Sequence, residues 1–168
     1  MIHVCSLSKL HETVAATGAR HVISLVNGGT VFTCPSNVDP TNHLFLGIND
    51  IVDEMEGMVA PAEQHMRELF DFVHAWPRQT PLVIHCFAGI SRSTAAAYAS
   101  LCALLPDQDE MELARRLRQA SPTATPNARI VALADAALQR EGRMVAAISS
   151  IGRGREAFEG APFVLPVS

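Results

Sequence analysis

The chain has 168 residues, the size of one domain, and is 48% hydrophobic and 18% charged, a balance that excludes wholesale disorder. Thirteen Lys and Arg stand against 17 Asp and Glu, so the net charge is -4 and a nucleic-acid partner is not expected. No apolar run approaches the ~18–20 residues of a membrane helix, and the start MIHVCSLSKLHETV carries no basic segment leading into a long apolar one.

In chain order, Ile2–Leu7 and His21–Val26 are short runs rich in β-branched residues, separated by a helical stretch Ser8–Thr17 and Gly18. Asn27-Gly28-Gly29 is a turn. A short strand over Thr30–Thr33 follows, then a polar loop over Cys34–Asn42. Leu44–Ile48 is the next strand and Asn49–Ala60 a loop. Pro61 suits the first turn of a helix that buries Met66, Leu69, Phe70 and Val73 and stops before Pro77. Pro81–His85 reads as a buried strand. Helices follow over Ser91–Leu105, Asp109–Ala120, Pro126–Arg140 and Arg143–Ile151, the second with acidic residues first and arginines last, as the helix dipole favours. Residues 1–151 thus form the expected main domain and 152–168 a tail, which either frays or docks through Phe163-Val164-Leu165. Gly152-Arg153-Gly154-Arg155 reads as a solvated, flexible segment. Strands alternating with helices imply an α/β fold with a central, mostly parallel sheet.

One segment carries chemistry: His85-Cys86-Phe87-Ala88-Gly89-Ile90-Ser91-Arg92-Ser93. A buried strand ends there, a glycine-containing loop follows, and a helix begins. Backbone N–H groups in such a loop meet the positive end of the helix dipole and form an anion site. Arg92 adds a planar fork of donors suited to two phosphate oxygens. Cys86 stands at the mouth of the loop, where a thiolate is favoured by the helix N-terminus and the nearby cation. A nucleophilic sulfur then lies beneath bound phosphorus. Cys-x5-Arg alone arises by chance about 0.3 times in a chain of this composition. The preceding His, the internal Gly and the following Ser lower that to on the order of 10⁻⁴.

This segment resembles the signature loop of the cysteine-dependent protein tyrosine phosphatase superfamily, His-Cys-x5-Arg-Ser/Thr. The chain length suits its compact, dual-specificity-like branch. The resemblance spans roughly residues 1–140, with Phe45-Leu46-Gly47-Ile48-Asn49-Asp50 similar to the strand and loop of the family's acid, and Pro126-Asn127 similar to a late landmark. It implies that Cys86 is the nucleophile, Arg92 the phosphate clamp, Ser93 the hydroxyl that eases departure of the thiolate, and His85 the residue that orients the loop and tunes Cys86. Phe87, Ala88, Gly89, Ile90, Ser91 and Arg92 would surround the substrate phosphate.

The acid also follows from topology. Asp50 succeeds one strand and Cys86 another, and the intervening helix is a crossover that makes the two strands parallel. Both residues then lie at the carboxyl edge, where α/β sheets place their sites. Asp53, three residues further on, competes with Asp50, which the strand context favours.

The seven histidines, at 3, 11, 21, 43, 65, 74 and 85, lack zinc spacing, so no metal or other cofactor is expected. Gly89-Ile90-Ser91-Arg92-Ser93 lacks the last glycine of a serine-hydrolase elbow. Cys5 and Cys102 read as small core hydrophobes, and Cys34 as a semi-buried thiol. Four scattered cysteines are not a disulfide framework, which points to the reducing cytoplasm. The expected partner is a phosphorylated protein or a small phosphate monoester, without nucleic acid or membrane. A sulfurtransferase and a silent phosphate-binding module are the alternatives. No variable loop position is basic, which disfavours highly charged inositol phosphates.

Overall fold

In the computed structural model, which describes all 168 residues, short β-branched runs build a five-stranded sheet. The strands are β1 (Ile2–Ser6), β2 (His21–Val26), β3 (His43–Gly47), β4 (Leu82–Cys86) and β5 (Phe163–Leu165), in the order β3-β2-β4-β1-β5. The first four are mutually parallel, and β5 pairs antiparallel with β1. Helices α1 (Leu10–Thr17) and α2 (Glu63–Ala75) are the crossovers that parallel pairing requires. After β4 come α3 (Arg92–Leu104), α4 (Glu110–Ala120), α5 (Ala128–Ala137) and α6 (Arg143–Ile151). This is the α/β, mostly parallel, helix-flanked arrangement that the sequence implies.

Side chains alternate across the strands. Ile23, Leu25, Ile84 and Cys86 face the main core together with Met66, Leu69, Leu101, Leu113 and Ile130 of the later helices. Val22, Val83 and Cys5 face the other way, onto Leu10 and Val14 of α1. Cys102 lies in the main core, so it and Cys5 are buried hydrophobes, and Cys34 packs half-buried at the edge of the smaller core. Helix α3 is buried along nearly its whole length. Its Ala95, Ala96, Ala97 and Ala99 are all at 0% exposure, and such small side chains allow close approach to the sheet. Glu110, itself buried, accepts from Arg140 and Arg143 at 3.1 Å each and ties α4 to the turn after α5 and to the start of α6. No helix is long and apolar enough to cross a membrane.

Four expectations are corrected. Thr30–Thr33 forms no strand: Phe32 instead packs edge-on against His85 and His43, and Val31 is 96% exposed, so the apolar run covers a side-chain cluster rather than extending the sheet. Pro61 precedes the helix, which starts at Glu63, because its carbonyl is taken by Arg129 Nε at 2.7 Å and the Ala62 N–H by His65 Nδ1 at 3.0 Å. The helix drawn over Pro126–Arg140 is shorter, because Asn127 is its N-cap and accepts from Ile130 N at 3.0 Å. The arginines of the glycine–arginine segment are solvated as expected, but its main chain is held rather than flexible: Gly154 N donates to Thr125 Oγ1 at 3.1 Å, and Arg155 N to the Pro122 carbonyl at 2.9 Å. Beyond it the tail docks, through β5 in the sheet.

Candidate active site

β4 lies between β2 and β1 and ends at Cys86, so the loop of residues 87–91 rises from the middle of the sheet's carboxyl edge and leads into α3. Its turn depends on Gly89, whose φ is +72°. A Cβ there would meet Ser6 N at 2.8 Å and the Cys5 carbonyl carbon at 2.9 Å, so only glycine lets the loop lie on the end of β1.

The loop carbonyls turn outward, and four of the five, all but that of Gly89, have a partner. Phe87 O accepts from Leu7 N at 3.1 Å, Ala88 O from Gly160 N at 2.9 Å, and Ile90 O from Thr125 N at 2.9 Å. Ser91 O accepts from Ala95 N at 3.0 Å and Asn127 N at 3.3 Å. The N–H groups of Phe87, Ala88, Ile90 and Ser91 have no acceptor within the chain. Donors gathered on the inner side of such a loop form an anion-binding nest. The Cys86 sulfur accepts from Gly89 N at 3.2 Å and lies 3.1 Å from Ser93 Oγ. Both Cys86 and Ser93 are buried.

Arg92, 6% exposed, is fixed by one end of its guanidinium. Nη1 donates to the Ile48 carbonyl at 2.7 Å and to Asn27 Oδ1 at 2.9 Å. Nε is buried without a partner. The edge carrying Nε thus remains available to an oxyanion, as bidentate recognition needs. A cavity of 260 Å³ opens here between Asn27, Thr30, Phe87 and Arg92.

His85 is completely buried behind the loop. Its Nδ1 faces the Cys86 carbonyl at 3.4 Å, and its Nε2 lies 2.6 Å from Ser24 Oγ, which also meets His43 Nε2 at 2.8 Å. A carbonyl only accepts, so Nδ1 carries the proton. Burial lowers the His85 pKa to about 4, so the ring is neutral and Nε2 is an acceptor. Ser24 then donates to His85 and accepts from His43, which is likewise held neutral by burial.

Asp50 reaches this loop from the end of β3. Its Oδ1 accepts from Ser91 Oγ at 2.7 Å and Asn127 Nδ2 at 2.8 Å. Asp53 makes no such bond; it is exposed in the same loop. The structure therefore brings together Cys86, Arg92, Ser93, His85 and Asp50, with the 87–91 backbone between them. Sequence reasoning missed Ser24, Asn27 and Gly160 as parts of the site. Ser24 and Gly160 carry no local motif, Asn27 reads only as the start of a turn, and each acts through a partner more than 60 residues away.

The protein-tyrosine phosphatase family model matches residues 55–129, the stretch that holds α2, β4, the signature loop, α3 and Asn127. Over that stretch the chain is similar to the protein-tyrosine phosphatases. Solved structures share the fold of this phosphatase-like chain. DUSP15 superimposes with a TM-score of 0.65 at 16% identity, covering 89% of each chain. Human DUSP28 gives 0.63 at 17%, covering 83% of this chain and 94% of its own. PTPMT1 in complex with PI(5)P gives 0.62 at 15%, covering 90% and 94%. At these identities the neighbours share the fold of this chain. No curated protein matches the chain significantly by sequence.

Proposed function

We propose that this protein hydrolyses phosphate monoesters through a cysteinyl-phosphate intermediate. The observation that carries the reading is the position of the Cys86 sulfur, under a loop whose carbonyls all turn outward and beside an arginine with a buried, unpartnered Nε. In the first step the thiolate attacks phosphorus in line and the P–O bond to the leaving group breaks. The loop N–H groups and Arg92 hold the three non-bridging oxygens, which is the electrostatic part of catalysis. Asp50 gives its proton to the departing oxygen. In the second step Asp50 takes a proton from water, water attacks the phosphocysteine, and the P–S bond breaks. Ser93, 3.1 Å from the sulfur, stabilises the released thiolate by donating to it. Two displacements of moderate difficulty replace one that is hard. The acceptor set of Asp50 favours it over Asp53, because its carboxylate is fixed to the loop by Ser91 and Asn127.

The substrate class is a phosphorylated protein. The loop side chains Phe87, Ala88, Ile90 and Ser91 bring no added positive charge, so a polyphosphorylated headgroup finds no extra partners there. The test is acid-quenched rapid mixing with a ³²P-labelled phosphotyrosine peptide. A labelled protein adduct that is stable to acid and absent in Cys86→Ser is expected. Turnover without a Cys86-dependent adduct would overturn the mechanism, and sulfur transfer from thiosulfate to cyanide would assign the sulfurtransferase chemistry instead.

A further inference from the structure

The signature loop is also bound by the tail. Gly160 N donates to the Ala88 carbonyl at 2.9 Å, and a Cβ at Gly160 would meet Gly89 O at 2.8 Å. At the other side of the loop, Ile90 O is bound by Thr125 N, and Thr125 Oγ1 in turn accepts from Gly154 N. A Cβ at Gly154 would lie 2.5 Å from the Thr123 carbonyl, so the tail runs backbone against backbone there. This close seat fixes residues 153–160 along the outer edge of the phosphate loop. It also sends the side chains of Arg153 and Arg155, which flank Gly154 with period two, towards the same space.

That space is a cavity of 480 Å³ lined by Ile90 and Ser91 of the loop, Thr125, and the tail residues Arg153, Arg155 and Phe158, with Glu156 and Ala157 completing the wall. Its size suits one or two amino-acid side chains. Arg153 has one partner, Glu156 at 3.7 Å, with both groups largely in solvent. Arg155 makes no ion pair within the chain. Phe158 is fully exposed and offers an aromatic surface at the rim. Two cations and an apolar lip thus stand beside Ser91, the residue that holds Asp50.

We propose that the tail segment Arg153–Phe158 is a second substrate subsite, which takes an Asp or Glu close in sequence to the phosphorylated residue of a protein substrate. The proposal rests on the phosphatase reading. A bilayer is the less suitable occupant, because the loop that follows β3 rises from the same edge and exposes Asp53, Glu54 and Glu56, which an anionic surface would repel. A carboxylate on a flexible peptide reaches the arginines without crossing that loop.

The test compares two phosphotyrosine peptides, one with Asp and Glu at the three positions on each side and one with Asn and Gln there. Each is measured for kcat/KM with the wild-type protein and with Arg153→Ala/Arg155→Ala, and for binding to the Cys86→Ser protein with and without the same pair of substitutions. The wild type should prefer the acidic peptide by about three- to tenfold, as two exposed charge-assisted contacts allow. The preference should sit in KM, weaken with added salt, and fall to near one in the double variant, while turnover of a small aryl phosphate stays unchanged. Equal rates on both peptides, or a preference that survives the double substitution, overturns the subsite. An equal loss on the aryl phosphate assigns the arginines to loop architecture instead. Binding with charge preference but without hydrolysis leaves the subsite standing and overturns the phosphatase reading, whereas loss of both overturns both. Arginine-dependent sedimentation with phosphatidylserine vesicles, with no peptide preference, assigns the segment to a membrane.

Discussion

Asn127 Nδ2 donates to Asp50 Oδ1 at 2.8 Å across 77 residues of sequence, while Asn127 Oδ1 caps α5 through Ile130 N at 3.0 Å. One buried side chain therefore joins the helix that follows the signature loop's support to the residue proposed as the acid. Asn127 holds that carboxylate in place without touching substrate.

The acid assignment follows from that link. Asp50→Asn should slow hydrolysis of a phosphotyrosine peptide by about 10²–10⁴-fold, the usual worth of a general acid. The loss should shrink with an aryl phosphate whose leaving group is already acidic, and the alkaline limb of the pH–rate profile should disappear. Asp53→Asn, with no bond to the loop, should show none of this. The reverse pattern would reassign the acid to Asp53.

Asn127→Asp separates positioning from capping. It keeps an acceptor for Ile130 N but removes the donor to Asp50 and sets a like charge beside it. The urea midpoint should change little compared with Asn127→Ala, which loses a cap worth about 1 kcal/mol. The rate on the phosphopeptide should nevertheless fall by at least tenfold in both, with the same leaving-group dependence as Asp50→Asn. Rates that track stability alone would reduce Asn127 to a cap.

Ser93→Ala probes the second step. A hydrogen bond to a charged group is worth about 1.5–3 kcal/mol, so steady-state turnover should fall by roughly tenfold to a hundredfold. Release of the first product should show a burst, because the phosphocysteine accumulates. A uniform slowing without a burst would place Ser93 in the first step. Arg92→Lys should not rescue Arg92→Ala, since the point charge lacks the fork of donors.

His85 sets a pH dependence of stability. Its pKa is lowered from 6.5 to about 4 by burial, so the unfolded chain binds the proton more readily than the folded one. The neutral ring therefore contributes fully above about pH 6.5, and that contribution, of the order of 3 kcal/mol, is lost as pH falls towards 4. His85→Asn should flatten the dependence of the urea midpoint on pH between 4 and 6.5 relative to wild type. An unchanged slope would show that other histidines whose pKa partial burial lowers, His43 among them, carry it.

The strands, crossovers and signature loop were legible because their signals are local: β-branched runs, helical spacing of Met66, Leu69, Phe70 and Val73, and the fixed spacing of His85, Cys86, Gly89, Arg92 and Ser93. Asp50 was legible through topology, since two parallel strands end on one edge. The failures share a cause. Phe32 reads as part of a strand, but its ring is claimed by His43 and His85, residues its own neighbourhood does not reveal. Ser24 reads as a polar residue in a strand until His85 and His43 are placed on either side of it. The segment of Arg153 and Arg155 is solvated as it reads, but it also reads as flexible, because nothing near it in sequence reports the seat of Gly154 on Thr123.

The pairing of Ile2 with Leu165 has a kinetic side. The edge of β1 is closed by a strand some 160 residues away, and Gly160, which braces Ala88, reaches the loop on the same pass. Contacts of such separation form late, because loop closure must precede them. Helical signal should therefore recover first on refolding, and vanadate binding should lag behind it by the time the tail takes to dock. The phosphate loop becomes a clock for the last step of folding, and its occupancy reports a chain whose two ends have met.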